Sequence, residues 1–156
     1  MIKRTYPHTR LRRTRSKGYL RDLVAENNLT SNDLIQPIFI ADQPDKQIEI
    51  PSMPGICRHN LDSLYAETEV LIKKGIKSVA IFPAIDANKK DQKGSHAFDD
   101  NNIVCLALKG LAKRFPEVIK IADVALDPYT DHGLDGVLLE GQVDNDQTLR
   151  LLQDQA

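Results

Sequence analysis

Three short apolar runs, each trailed by a longer segment of helical spacing, constrain this chain more than anything else in it. Residues 34–41, 78–83 and 118–126 are strand-length and almost continuously apolar, a pattern that suits strands covered on both faces. Pro37 removes a ladder donor and belongs near the start of the first run. Between the runs, Leu61, Leu64, Tyr65, Thr68, Leu71 and Ile72 form one helical stripe. Asn60 or Asp62 caps that helix, and Gly75 closes it. A second helix is expected over 103–115, stopped by Pro116. A third starts at Gln147 under an Asn145 or Asp146 cap. Short strands alternating with helices of about a dozen residues imply a parallel α/β sheet.

The connections add direction. Both helix-to-strand links are short, whereas the strand-to-helix segments 43–60 and 86–102 are long and polar. In (β/α)8 barrels, such loops carry the chemistry at the C-terminal ends of the strands. A complete barrel takes about 250 residues, and this chain has 156. The expected fold is therefore an incomplete barrel over 35–156, with the first three βα units. It is preceded by an N-terminal arm and short helix over 1–34, in which Leu20, Leu23 and Val24 give the helical spacing.

Composition removes several classes of function. No apolar run approaches the roughly 20 residues of a membrane span, and no apolar stretch follows the early charges as in a signal peptide. A cytoplasmic protein is expected. Cys57 and Cys105 lack CxxC partners and read as reduced, partly buried thiols. The net charge of −1 hides an asymmetry: from Lys3 to Arg21 every charged side chain is basic. Arg10, Arg12 and Arg13 lie within this arm. It suits either phosphate contacts in a nucleic-acid-binding module or pairing with acids on a neighbouring subunit. Aromatics for stacking are sparse, and no nucleic-acid-binding motif follows, which makes nucleic acid the secondary reading.

The third run carries the chemistry. Strand alternation places Ile119, Ile121, Asp123, Ala125 and Asp127 on one face, so two carboxylates are expected to point inward near the strand's end. Unpaired carboxylates brought together are costly and raise one another's pKa. They call for a cation, a metal or a shared proton. Asp127 also reads as the start of an Asp-Pro turn. Downstream, Asp131, His132 and Asp135 lie in a glycine-flanked loop able to fold back over the strand. There Asp127 and Asp135 are candidate ligands for a hard cation such as Mg²⁺, while His132 reads equally as a packing residue.

The run from Asp123 to Gly136, DVALDPYTDHGLDG, resembles the metal-site signature of the porphobilinogen synthases. Further blocks resemble that family in the same order: Arg10-Leu11-Arg12-Arg13, Ser52-Met53-Pro54-Gly55, Ala80-Ile81-Phe82-Pro83, Lys90-Asp91 with Gly94-Ser95, and Arg114-Phe115-Pro116. The resemblance spans nearly the whole chain. It implies a TIM barrel whose arm wraps a neighbouring subunit of a homo-oligomer, usually an octamer. It also implies condensation of two 5-aminolevulinate molecules to porphobilinogen in tetrapyrrole (haem) synthesis, through Schiff bases on two lysines. Asp123 matches an active-site aspartate. Where zinc-dependent members carry three cysteines, this chain has Ala125, Asp127 and Asp135, like the aspartate-rich subgroup that lacks that zinc and often responds to Mg²⁺. The Schiff-base lysines of the family belong to later strands. Lys89, Lys90, Lys93 and Lys120 match neither of them, so no catalysis is expected from this chain alone.

Overall fold

Burial alternates along Gln36–Ala41 (β1), where Ile38 and Ile40 are buried while Pro37 is exposed and Phe39 half-buried. That alternation divides the whole sheet into two faces. The computed structural model describes residues 4–10 and 12–156, so Lys3 and Leu11 of the arm lie outside the described residues. The chain divides into two units, residues 1–30 and 31–156. In the first, a 3-10 turn at Arg13–Arg15 precedes a six-residue helix, Gly18–Leu23 (α1). This helix holds Leu20 and Leu23 of the expected spacing but ends before Val24, whose N–H turns back to Arg21 O and Asp22 O. Arg10, Arg12 and Arg13 are exposed, and Arg10 Nε donates to Pro7 O at 3.2 Å.

The second unit holds, in order, Gln47–Glu49 (β2), Cys57–His59 (β3), Leu61–Lys73 (α2), Ser78–Ala84 (β4), Ile103–Arg114 (α3), Ile119–Ala122 (β5), Val137–Leu139 (β6), Gln142–Asp144 (β7) and Asn145–Gln155 (α4). Five strands form one sheet in the order β2-β3-β1-β4-β5, with β1, β4 and β5 mutually parallel. Both long helices start on asparagine caps: Asn60 Oδ1 accepts from Ser63 N at 3.0 Å and Asn102 Oδ1 from Cys105 N at 2.9 Å. These bonds satisfy one of the donors left orphaned in each first turn.

One face of the sheet is the core. Ile38, Ile40, Val79 and Ile81 pack under Leu64 and Leu71 of α2 and Val104, Ala107 and Leu111 of α3. The opposite face carries Phe39 and Phe82, whose rings lie 5.9 Å apart, and then Ile119 and Ile121, exposed at 60% and 38%.

Two stretches depart from the sequence reading. The 43–60 segment contains an antiparallel pair, β2 with β3, and β3 also lies parallel to β1. The third strand spans only Ile119–Ala122, not 118–126. Beyond it the chain leaves the ladder: Asp135 Oδ1 takes the Leu126 N–H at 2.6 Å, and Tyr129 and Thr130 N–H both bond Leu126 O. Asp123 therefore follows the strand rather than sitting within it. The last helix also begins two residues before Gln147, because Asp144 Oδ1 caps it through Gln147 N at 2.8 Å.

His59 on β3 is 8% exposed, and its Nδ1 has no hydrogen-bond partner. Burial lowers its pKa from 6.5 and outweighs Glu67 and a backbone hydrogen bond with Ser63, which both raise it. A histidine depressed in this way contributes stability that is complete above its unfolded value and is lost as pH falls through the folded one. The melting temperature is expected to drop more between about pH 7 and about pH 5 than that of His59→Gln, the difference arising from this one group. Parallel pH–melting curves for the two proteins would refute that origin.

Candidate functional site

Ala80 pairs with Ile121 and Ile81 with Ala122, the last pair of that ladder, and Asp123 is the next residue along the chain. Across the sheet Phe82 pairs with Phe39, and Phe39 with Arg58. Asp123 thus stands directly after the C-terminal end of β5, one of the parallel strands. The sequence expectation put it within the strand; it follows the strand instead.

Asp127 reaches the same region by a different route. It stands in the turn closed by the Leu126 carbonyl, so strand alternation does not set its direction. Both Asp123 and Asp127 are exposed. Even so, desolvation pushes the Asp127 carboxyl up, and the neighbouring Asp135 and Asp123 push it the same way. A hydrogen bond from its own backbone and the charge of Lys90 pull it down less. Three carboxylates and one ammonium therefore share a field at the mouth.

A clamp between two loops holds this group. Asp91 N donates to Tyr129 O at 3.3 Å, Asp131 N donates to Asp91 O at 3.0 Å, and Asp91 and Thr130 form a parallel bridge. The Asp91 carboxylate accepts from Lys93 N at 2.8 Å and Ser95 N at 3.1 Å. Burial pushes that carboxyl up, but these bonds, with a further one from Gly94, hold it below its ordinary value. His132 fastens the same junction. Its Nε2 lies 3.3 Å from Gln92 O, and its Nδ1 accepts from Leu134 N at 3.1 Å. That arrangement spends both ring nitrogens on the loops.

A second small core supports the clamp from outside. Ala97, Leu126 and Tyr129 are buried together against Phe98, Leu151 and Leu152, and Gln155 Nε2 donates to Ala125 O at 3.1 Å. Burial, and then Cys105, push the Tyr129 hydroxyl up to about 12, so it stays protonated. Gly136 lets α4 close onto the loop. Its φ is +148°, and a Cβ there would lie 2.6 Å from both Thr148 Oγ1 and Val143 Cγ1.

The lysines fall elsewhere. Lys89 Nζ bonds Asp42 at 2.8 Å, which raises its pKa, so it remains an ammonium. Lys93 is exposed, and Lys120 Nζ reaches Pro116 O at 3.5 Å. A cleft of about 740 Å³ opens between Ala41, Ala84 and the starts of α2 and α3, with Asp42 and Lys89 among its lining. It is lined by none of Asp123, Asp127 and Asp135.

For a metal, the donor set is thin. Among the described residues no three His, Cys, Asp or Glu side chains converge as a cage, and one Asp135 oxygen is already engaged by Leu126 N. The remaining oxygens of Asp127 and Asp135 are hard donors, the chemical type that Mg²⁺ takes. They offer none of the thiolates that select Zn²⁺.

Comparison with known proteins agrees with this architecture. The family model described as delta-aminolevulinic acid dehydratase matches residues 8–156. The delta-aminolevulinic acid dehydratase of Bradyrhizobium diazoefficiens is 43% identical over 147 residues, which is 94% of this chain and 42% of the relative. That of Helicobacter pylori is 43% identical over 145 residues, 92% of this chain and 44% of the relative. A crystal structure of the Toxoplasma gondii enzyme in complex with its reaction product porphobilinogen superposes with a TM-score of 0.88 at 36% identity. The match covers 94% of this chain and 42% of that one. The chain thus spans less than half the length of these relatives. With β1, β4 and β5 as parallel staves of a partial TIM barrel and the family's pattern running through nearly all of its length, this chain belongs to the delta-aminolevulinic acid dehydratase family.

Proposed function

We propose that this chain supplies the first βα units of a porphobilinogen synthase, a dehydratase that condenses two 5-aminolevulinate molecules with loss of water. The observation that carries this reading is the seat of Asp123. It is an exposed carboxylate, one step beyond β5, at the end of the sheet where barrel enzymes place their chemistry. A carboxylate there can hold a substrate ammonium group and accept or return a proton as carbon–nitrogen and carbon–carbon bonds form. Asp127 and Asp135 would hold a hydrated Mg²⁺, whose charge would offset theirs. The exposed Arg10, Arg12 and Arg13 would contact a neighbouring subunit of a homo-oligomer, in a cytoplasmic enzyme.

Lys89, Lys90, Lys93 and Lys120 match neither Schiff-base lysine of the family. Such a nucleophile must lose its proton in a low-polarity site, whereas Lys89 is stabilised as an ammonium by Asp42. Incubation of the chain with 5-aminolevulinate and borohydride is expected to leave its intact mass unchanged. A stoichiometric adduct would show that a lysine here is a nucleophile after all. The activity itself is tested by supplying the remainder of the barrel from the Bradyrhizobium relative and measuring porphobilinogen. Its appearance only when both parts are present supports the assignment. Its absence from a co-purifying, folded complex counts against it.

A further inference from the structure

Among the described arginines only Arg58 is half-buried, and every other one is exposed. Its backbone is fixed in β3, paired with Phe39 of β1 on one side and Ile48 of β2 on the other. Its carbonyl accepts from Gln43 Nε2 at 3.1 Å. The guanidinium has no such partner. Among the described residues the ion pairs are Lys89 with Asp42 and His96 with Asp99, and the cations over rings are Lys17 and Arg114. A guanidinium carries five donors in a fixed fork, and drawing it partly out of water without an acceptor is costly.

Arg58 lines the cleft of about 740 Å³ at the C-terminal ends of β1 and β4. Leu61, Ile85, Ile103 and Leu106 add apolar wall to that cleft. Leu61 and Ile103 also open α2 and α3, helices of 13 and 12 residues. The first N–H groups of such helices have no intrahelical acceptor and favour negative charge nearby. Lys89 in the same lining is already taken by Asp42 at 2.8 Å. Asp62 and Asp86, both exposed, stand in the lining as well.

We propose that this cleft binds a small aliphatic monocarboxylate, its head on the Arg58 guanidinium and its chain against the apolar wall. The guanidinium fork matches a carboxylate with two parallel charge-assisted hydrogen bonds. The cleft lies outside the carboxyl ends of parallel strands, where open α/β sheets take their ligands. Its volume falls in the range of small-molecule sites, about 300–1,000 Å³. Asp62 and Asp86 set the selectivity, because a second negative charge on the ligand would meet theirs. The inference goes beyond the dehydratase reading and uses none of Asp123, Asp127 and Asp135.

Butyrate serves as the probe, added to the whole ¹⁵N-labelled chain and followed by amide chemical shifts. Saturable shifts are expected at Leu61, Ile85 and Ile103. Arg58→Gln is expected to weaken binding about tenfold or more, and Arg58→Lys, which keeps the charge but loses the fork, by less. Arg150→Gln, on an exposed arginine outside the cleft, should match the parent. Butylamine, with the same chain and the opposite charge, should give no saturable shift, and glutarate should bind several-fold more weakly than butyrate. No saturable shift with butyrate, equal affinities for the parent and Arg58→Gln, or butylamine binding as tightly as butyrate would each overturn the proposal. Circular dichroism of Arg58→Gln matching the parent keeps misfolding out of the comparison. Failure here leaves the dehydratase reading intact, because porphobilinogen formation is read separately.

Discussion

Leu111→Ala is expected to destabilise the second unit by about 3–5 kcal/mol, a large share of the margin of a small domain whose total is about 5–15 kcal/mol. Leu111 is fully buried and stands on α3 where that helix crosses β1 and β4. Truncation removes the transfer energy of its methyl groups and leaves a cavity between two helices and the sheet. The surroundings relax only partly, because Gly110 next to it already brings α3 against Tyr65. A Cβ at Gly110 would lie 1.9 Å from that hydroxyl, so the helices have little room to shift. Leu106 on the same helix is 37% exposed, and its replacement by alanine should cost about 1 kcal/mol or less. Urea unfolding of the two variants makes the comparison. A loss below about 1 kcal/mol for Leu111→Ala would mean that the helix layer is not packed as described.

In the complemented enzyme, Asp123→Asn is expected to lower kcat by about 10²–10⁴-fold, the usual worth of a positioned acid–base group. The amide keeps the shape and some hydrogen bonding but carries neither the charge that holds an ammonium nor a transferable proton. Asp123 is exposed and outside the ladder, so folding should be nearly untouched, within about 0.5 kcal/mol. That separation makes the experiment informative: lost turnover with an unchanged melting temperature locates the defect in chemistry. Activity within a fewfold of the parent, measured at saturating 5-aminolevulinate, would remove Asp123 from the mechanism and leave it a surface carboxylate.

What could be read from the residues follows a physical division. β1, β4, α2 and α3 are written in local patterns: apolar runs bounded by polar loops, one stripe per helix, asparagine caps and a closing glycine. The β2–β3 pair was not legible, because three-residue strands flanking Pro51, Pro54 and Gly55 carry no periodicity to count. Its pairing with β1 is a long-range event that no window detects. β5 was over-extended because residues 123–126 continue its alternation. The ladder stops at Ala122, and the Leu126 N–H beyond it goes to Asp135, nine positions away, a partner that local periodicity does not reveal.

The aspartates at the mouth were legible as a motif, but their setting was not. Lys90 and Asp91 fell in a stretch with no periodicity, where solvated lysines are the ordinary expectation. A usable signal was present. Asp91 followed by Gly94 and Ser95 is a side-chain-to-backbone turn pattern, and Gly94 takes φ +66° with Tyr129 so close that a Cβ would lie 3.3 Å from it. Reading that turn as a fastening rather than as a linker would have drawn attention to the loop it fastens.

The tie between α4 and the acidic loop has a consequence for the order in which the molecule is completed. Leu126 and Ala125 find their lasting neighbours in Leu151, Leu152 and Gln155, side chains that leave a ribosome well after the three parallel strands have emerged. At about 5–20 residues per second, a nascent chain would carry the three parallel strands for a second or more before the acidic loop gained this buttress.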